Sequence, residues 1–172
     1  MPKSAAVRQA APQRLSDVVS ISRQFLRSVR IDTDLGREDA LAGFICQGTA
    51  RALLGNMAKQ QLESNQRAFT WTGPYGGGKS SLALTLCSLV DANERLRSKA
   101  REVIGCSDED QIARAFATDE RGWLVVPVVG RRADIREAIG AALEKATGAK
   151  PSRRKASDVI AHLVAEAQRQ PN

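Results

Sequence analysis

The spacing of apolar positions predicts a chain that is largely helical. Several segments place apolar residues three and four positions apart, as one face of an α-helix requires. A short helix is also predicted between Leu15 and Val29, after a disordered start over residues 1–14. The strongest predictions are helices over 48–62, 80–90, 94–104, a segment opened by Ser107–Asp110, 135–146 and 159–167.

Two short runs have the composition of strands instead. Residues 68–72 and 123–129 are rich in aromatic and β-branched side chains, which are typical of strands. A glycine-rich loop lies between the first run and the helix that follows it. The order of strand, loop and helix predicts an α/β fold, flanked by helical N-terminal and C-terminal segments. Because a sheet usually has about five or six strands, we expect this core to be incomplete.

The loop fits the pattern G-x-x-x-x-G-K-[ST] without a mismatch. Glycines let the backbone approach a phosphate closely, and successive N–H groups can form a nest for the anion. The positive end of the following helix adds to this attraction. We expect Lys79 to contact the β- and γ-phosphates, and the Ser80 hydroxyl to bind Mg²⁺. The predicted cofactors are ATP and Mg²⁺, and the predicted binding residues are Gly73, Pro74, Tyr75, Gly76, Gly77, Gly78, Lys79, Ser80 and Ser81.

The run Gly-Pro-Tyr-Gly-Gly-Gly-Lys-Ser-Ser-Leu-Ala, residues 73–83, resembles the Walker A region of AAA-like and STAND-like P-loop NTPases. More narrowly, it is similar to large bacterial ATPases of phage-defence systems. The resemblance covers at most residues 30–147. It implies a parallel sheet, a bacterial source and a second motif, in which a strand ends in a carboxylate that holds Mg²⁺.

That second motif is missing. The run 123–129 continues into Gly130, Arg131 and Arg132, and the next carboxylate, Asp134, is placed to cap a helix. Whether the chain hydrolyses ATP is therefore left open. We expect the N-terminal part of a larger ATPase, and the alternative is a small protein with a degenerate fold. Arg131 or Arg132 at the end of a strand could contact phosphate, although solvated side chains explain them as well.

Charge divides the chain into three regions. The net charge is +7, and residues 1–30 hold six basic side chains against Asp17 alone, which gives +5. We therefore predict a basic arm over 1–30, a nucleotide-binding region over 31–147, and a basic linker with an amphipathic helix over 148–172. The arm suggests nucleic acid as an alternative partner, and a second copy of the chain or a missing C-terminal region is another.

The remaining chemistry is sparse. Cys46, Cys87 and Cys106 are odd in number and widely spaced, which favours buried thiols in the cytoplasm. No apolar run is long enough for a membrane span, and His162 is the only histidine. The acidic cluster 108–110 is explained by a helix start. Two other functions stay open: a non-catalytic nucleotide-sensing module, and a helical nucleic-acid-binding scaffold with a vestigial loop.

Overall fold

A computed structural model of the protein describes residues 14–20, 28–130, 132–148 and 156–169. All regular secondary structure in these ranges is helical. A 3₁₀ helix, Glu38–Leu41, lies between the second and third α-helices. The α-helices in chain order are α1 Leu15–Val18, α2 Ile31–Asp34, α3 Gly48–Ser64, α4 Lys79–Leu89, α5 Glu94–Ile104, α6 Gln111–Ala115, α7 Ile135–Thr147 and α8 Ala156–Arg169.

The predicted helices are confirmed from α3 onward, and their ends follow local chemistry. The side chains of Asn93, Asp110 and Asp134 each accept a hydrogen bond from the backbone N–H two residues later, which satisfies a donor that a helix start leaves open. Ser107 was expected to open α6, but Asp110 does so. Gly105 ends α5 with φ of +70°, and its N–H donates to the carbonyl of Arg101 at 2.8 Å.

The predicted α/β fold is wrong. Residues 66–74 and 123–130 have no regular secondary structure, so neither predicted strand is present among the described residues. A strand requires a partner, because its stability comes from a ladder of backbone hydrogen bonds. Within residues 123–130, only the N–H of Trp123 donates to a described residue, the carbonyl of Val90 at 2.8 Å. The apolar composition of the two runs correctly indicated that some of their side chains are partly buried, but it wrongly predicted that their backbones pair in a sheet.

Both irregular segments, 66–74 and 123–130, are held in place by side chains that pack on the helices. Phe69, Trp71 and Val125 are partly buried against the core, and the indole N–H of Trp71 lies 3.1 Å from the sulfur of Met57 in α3. The runs therefore cross the surface of a helical core. The largest fully buried side chains of that core are Leu41, Leu54, Leu84, Leu96, Ile104, Ile112, Leu143 and Thr85.

Two helix pairs build most of this core. Helix α4 packs on α5, and α3 packs on α6. The second pair is also joined by polar contacts: the Gln61 side chain donates to the carbonyl of Ala115 at 2.6 Å, and Arg51 pairs with Asp110 at 2.5 Å. These contacts join α3 to α6 near both ends of α3, the helix that precedes the glycine-rich loop in the chain.

The turn after α4 is held from two sides. Arg97, which is only 9% exposed, donates to the carbonyls of Asp91 and Ala92 at 2.7 and 2.9 Å. On the other side Gly122 passes so close that a Cβ atom there would lie 2.3 Å from the backbone nitrogen of Ala92. The close contact between Gly122 and the turn after α4 joins the segment that follows Gly122 to the helical core.

Helices α7 and α8 pack against each other at the C-terminal end of the described chain. Val159 of α8 is buried, and its side chain would lie 3.1 Å from a Cβ atom placed on Gly140 of α7. The absence of a side chain at Gly140 therefore allows the close approach of the two helices. Most of the basic arm, Arg131 and the basic linker lie outside the described residues, so the division into three regions stays a prediction.

Candidate nucleotide-binding site

The loop between Thr72 and Lys79 is positioned by packing on both flanks. Before it, the side chains of Phe69 and Trp71 lie against the core. After it, α4 begins at Lys79 and is largely buried, with Leu82 and Leu84 6% and 1% exposed. The N–H of Leu82 donates to the carbonyl of Gly78 at 2.9 Å, which closes the first helical turn. The loop is therefore an exposed segment between two fixed points.

The need for glycine at positions 76, 77 and 78 of the loop has a different structural reason at 77 than at 76 and 78. Gly76 and Gly78 have φ of +78° and +74°, a region that other residues seldom adopt. At Gly77 a Cβ atom would lie 3.1 Å from the carbonyl oxygen of Pro74, to which the Gly77 N–H donates. Gly73 has free space around its Cα, and nothing in the structure explains a glycine there.

Lys79 folds back over the loop. Its ammonium donates to the carbonyls of Gly73 and Pro74 at 2.9 and 2.7 Å. Among the described residues, no carboxylate forms a salt bridge with it. Its positive charge is therefore held beside the loop by neutral acceptors and is not cancelled by an acid.

The start of α4 offers backbone donors at the same place. Gly78 precedes the helix and has no side chain to cap it. Within the described part of the chain, the N–H groups of Lys79, Ser80 and Ser81 have no hydrogen-bond partner. An uncapped helix start attracts anions, because its N–H groups and its dipole both point outward.

Two clefts meet at the glycines 76–78. The first, which we call the lysine cleft, has a volume of about 450 Å³ and is lined by Ser28, Val29 and residues 75–81. The second, which we call the Phe44 cleft, has a volume of about 440 Å³. Its lining residues are Gly43, Phe44, Ile45, Gln47, Thr49, Ala50, Gly76, Gly77, Gly78 and Leu82. The structure thus brings together every predicted binding residue except Gly73 and Pro74 around the lysine cleft, and these two supply the carbonyls that bind Lys79.

The lysine cleft suits Mg²⁺ only together with an anionic ligand. Its lining offers the hydroxyls of Ser80 and Ser81 but includes no carboxylate. Groups of three or more histidine, cysteine or acidic side chains that could hold a metal do not occur among the described residues. Because Mg²⁺ keeps several waters and often binds substrate phosphates, Ser80 and the phosphates of a bound nucleotide would supply its ligands. The metal role of Ser80 remains a prediction.

The other candidate residues have structural roles elsewhere. Asp134 caps α7, and hydrogen bonds from Arg136 lower the pKa of its carboxyl from 3.8 to about 2. In the acidic cluster, Asp110 caps α6 and Asp108 pairs with Arg101 at 3.1 Å. Arg132 does not line the lysine cleft. None of these side chains lines either cleft beside the loop.

Neither the three thiols nor the histidine lines the lysine cleft or the Phe44 cleft. Cys46, Cys87 and Cys106 are free and partly buried, and burial raises the pKa of the Cys87 thiol from 9.0 to about 11. Such a thiol is a poor nucleophile, because the reactive form is the thiolate. His162 Nε2 lies 3.5 Å from Glu166 Oε1 within α8. Sequence reasoning missed the second cleft, because residues 43–50 carry no motif and meet the loop only in three dimensions.

Among the described residues, no helix has both the length and the apolar content to cross a membrane. A cytoplasmic location stays a prediction.

Comparisons with known proteins identify no relative. No protein-family model matches the chain, and searches of curated proteins and of solved structures also find no match. The assignment to AAA-like or STAND-like P-loop NTPases, and to phage-defence ATPases in particular, is therefore wrong on two grounds: the described chain lacks the sheet of such a core, and no family supports it. A short glycine-rich motif matched the family's pattern without the fold that normally carries it.

Proposed function

We propose that this chain binds a nucleoside triphosphate, ATP, with its phosphates in the lysine cleft. The observation that supports this most is the position of Lys79. Its ammonium lies over the carbonyls of Gly73 and Pro74, at the uncapped start of α4. A cation and a row of free N–H groups therefore face the same space, as a polyphosphate requires.

The role of each group follows from its chemistry. The N–H groups of Gly76 and Gly78 and of residues 79–81 donate charge-assisted hydrogen bonds to phosphate oxygens. Lys79 neutralises part of the charge as a mobile ammonium. On binding, Lys79 exchanges two carbonyl acceptors for anionic oxygens, which form the stronger hydrogen bonds. Ser80 completes the ligands of Mg²⁺ carried by the nucleotide. The residues that line the cleft include no carboxylate to activate water. We therefore propose that the chain binds the nucleotide without hydrolysing it, as a nucleotide-sensing module would.

Titration calorimetry with Mg-ATP tests this proposal. Replacing Lys79 with Ala removes a charged hydrogen bond of about 1.5–3 kcal/mol, so the Kd should rise about 10- to 150-fold. Lys59→Ala is the matched control, because Lys59 lies exposed on α3. Its ammonium forms one ion pair among the described residues, with Glu63 at 4.0 Å. Circular dichroism of each variant should match that of the parent.

Two results would contradict the proposal: no binding of Mg-ATP by the parent chain, or equal loss of affinity in the Lys79 and Lys59 variants. Phosphate release measured on the same samples then decides between binding and turnover. Turnover that depends on Lys79 would show that the chain hydrolyses ATP and would exclude the purely sensing form.

A further inference from the structure

The glycines 76–78 separate two clefts of different character. The lysine cleft is lined by a cation, hydroxyls and backbone. The Phe44 cleft combines apolar side chains with two polar ones. Because the same three glycines line both, one ligand that crosses the loop can occupy both. A nucleotide has this division into an anionic part and a flat, largely apolar part.

The apolar wall of the Phe44 cleft is formed in part by the core itself. The Phe44 ring approaches the loop, with its Cε2 atom 3.7 Å from the position of a Cβ on Gly78. Leu82 is 6% exposed, whereas Ile45 is 78% exposed. Ile45 is thus a large apolar side chain left in water at the rim of a cleft. A flat ring that covered it would remove apolar surface from water, which favours binding.

Two polar side chains in this cleft have no partner in the described protein. Gln47 precedes α3, but its side chain does not cap the helix. Thr49 follows in the first turn, and none of the described hydrogen bonds uses its hydroxyl. A carboxamide offers a donor and an acceptor side by side, and glutamine pairs in this way with the N6 and N7 atoms of adenine.

We propose that the Phe44 cleft binds the base of the nucleotide and that Gln47 selects adenine over guanine. This inference rests on the proposed binding of a triphosphate at the lysine cleft. Gln47 accepts from the exocyclic amine of adenine and donates to its ring nitrogen. Guanine carries an acceptor where adenine carries that amine, so it loses one of the two hydrogen bonds. Ile45 and Phe44 supply contact to the ring and do not distinguish the two bases.

The test compares ATP, GTP and inorganic tripolyphosphate by calorimetry, each with Mg²⁺. The parent should bind ATP about tenfold more tightly than GTP, because a bidentate contact between a side chain and a base typically discriminates by that factor. It should also bind ATP more tightly than tripolyphosphate. Gln47→Met keeps the length of the side chain and should abolish the preference for ATP over GTP without changing the Kd for tripolyphosphate. Gln60→Met, at an exposed position within α3, is the control and should behave as the parent.

The outcomes separate the two proposals. If tripolyphosphate binds as tightly as ATP, or if Gln47→Met keeps the preference for ATP, the base site is refuted while binding of phosphate stands. If neither ATP nor tripolyphosphate binds, both the proposed function and the base site are refuted.

Discussion

Gly122 offers the sharpest test of the fold, because its environment forbids a side chain for two independent reasons. Its φ is +66°, and a Cβ atom would lie 2.3 Å from the nitrogen of Ala92 and 2.8 Å from the carbonyl oxygen of Val90. Both contacts are with backbone, which cannot rotate away as a side chain can. Gly122→Ala therefore requires the turn after α4 to move.

The magnitude follows from three contributions. The left-handed conformation costs a non-glycine residue about 1–2 kcal/mol. Moving the turn weakens the hydrogen bond from the Trp123 N–H to the Val90 carbonyl, now 2.8 Å long, which contributes about 1 kcal/mol. Overpacking adds about 1–3 kcal/mol. Together these contributions amount to about 3–6 kcal/mol, a large part of the roughly 5–15 kcal/mol typical of folded domains.

Urea denaturation followed by circular dichroism measures this loss. Gly105→Ala is the matched control: Gly105 also has positive φ, +70°, but a Cβ there meets nothing within 4 Å. It should cost only the conformational part, about 1–2 kcal/mol. At a slope of about 2 kcal/mol per molar urea, Gly122→Ala should lower the midpoint by about 2 M, and Gly105→Ala by less than about 1 M. Equal effects of the two substitutions would refute the close crossing at Gly122.

Two further predictions concern backbone pairing and charge. In hydrogen exchange, the amides of residues 124–126 and 128–130 should exchange well before those of Leu84 and Thr85 in α4. The reason is that no amide in 124–126 or 128–130 donates to a described residue. Comparable protection of the two groups would mean that residues 124–130 are paired. The pKa of Asp134 is lowered in the folded chain to about 2, so its contribution to stability is present above pH 3.8 and is lost as the pH falls through about 2. Asp134→Asn keeps a capping oxygen but removes the charge, so the urea midpoint should fall less between pH 4 and pH 2 than it does in the parent; parallel curves would show that the charge plays no part.

The helices were predictable because their signals are local. Apolar spacing located α3 and α7, a charged run located α5, and single residues such as Gly105 and Asp134 marked where helices end or begin. The loop was predictable for the same reason, since the conformations of Gly76 and Gly78 depend on a few neighbouring residues.

The sequence-based predictions were wrong or incomplete where the structure depends on contacts between residues far apart in the chain. Aromatic and β-branched composition shows that residues 68–72 and 123–129 are suited to partial burial, but it does not show whether another strand lies beside them. The packing of Trp71 on Met57 in α3 met the need for burial without a sheet. The approach of Phe44 to Gly78 is likewise a contact between segments 34 positions apart, which no local pattern encodes.

The unpaired run after Gly122 has a consequence for the behaviour of the chain at high concentration. The amides of residues 124–126 and 128–130 donate to no described residue, and such a row beside the exposed Val128 and Val129 is a place where another polypeptide can extend a sheet. Proline has no N–H to donate, so Pro127 interrupts that row near its centre. Any sheet growing along the run from either side meets this gap, and the proline thus acts as a safeguard against aggregation.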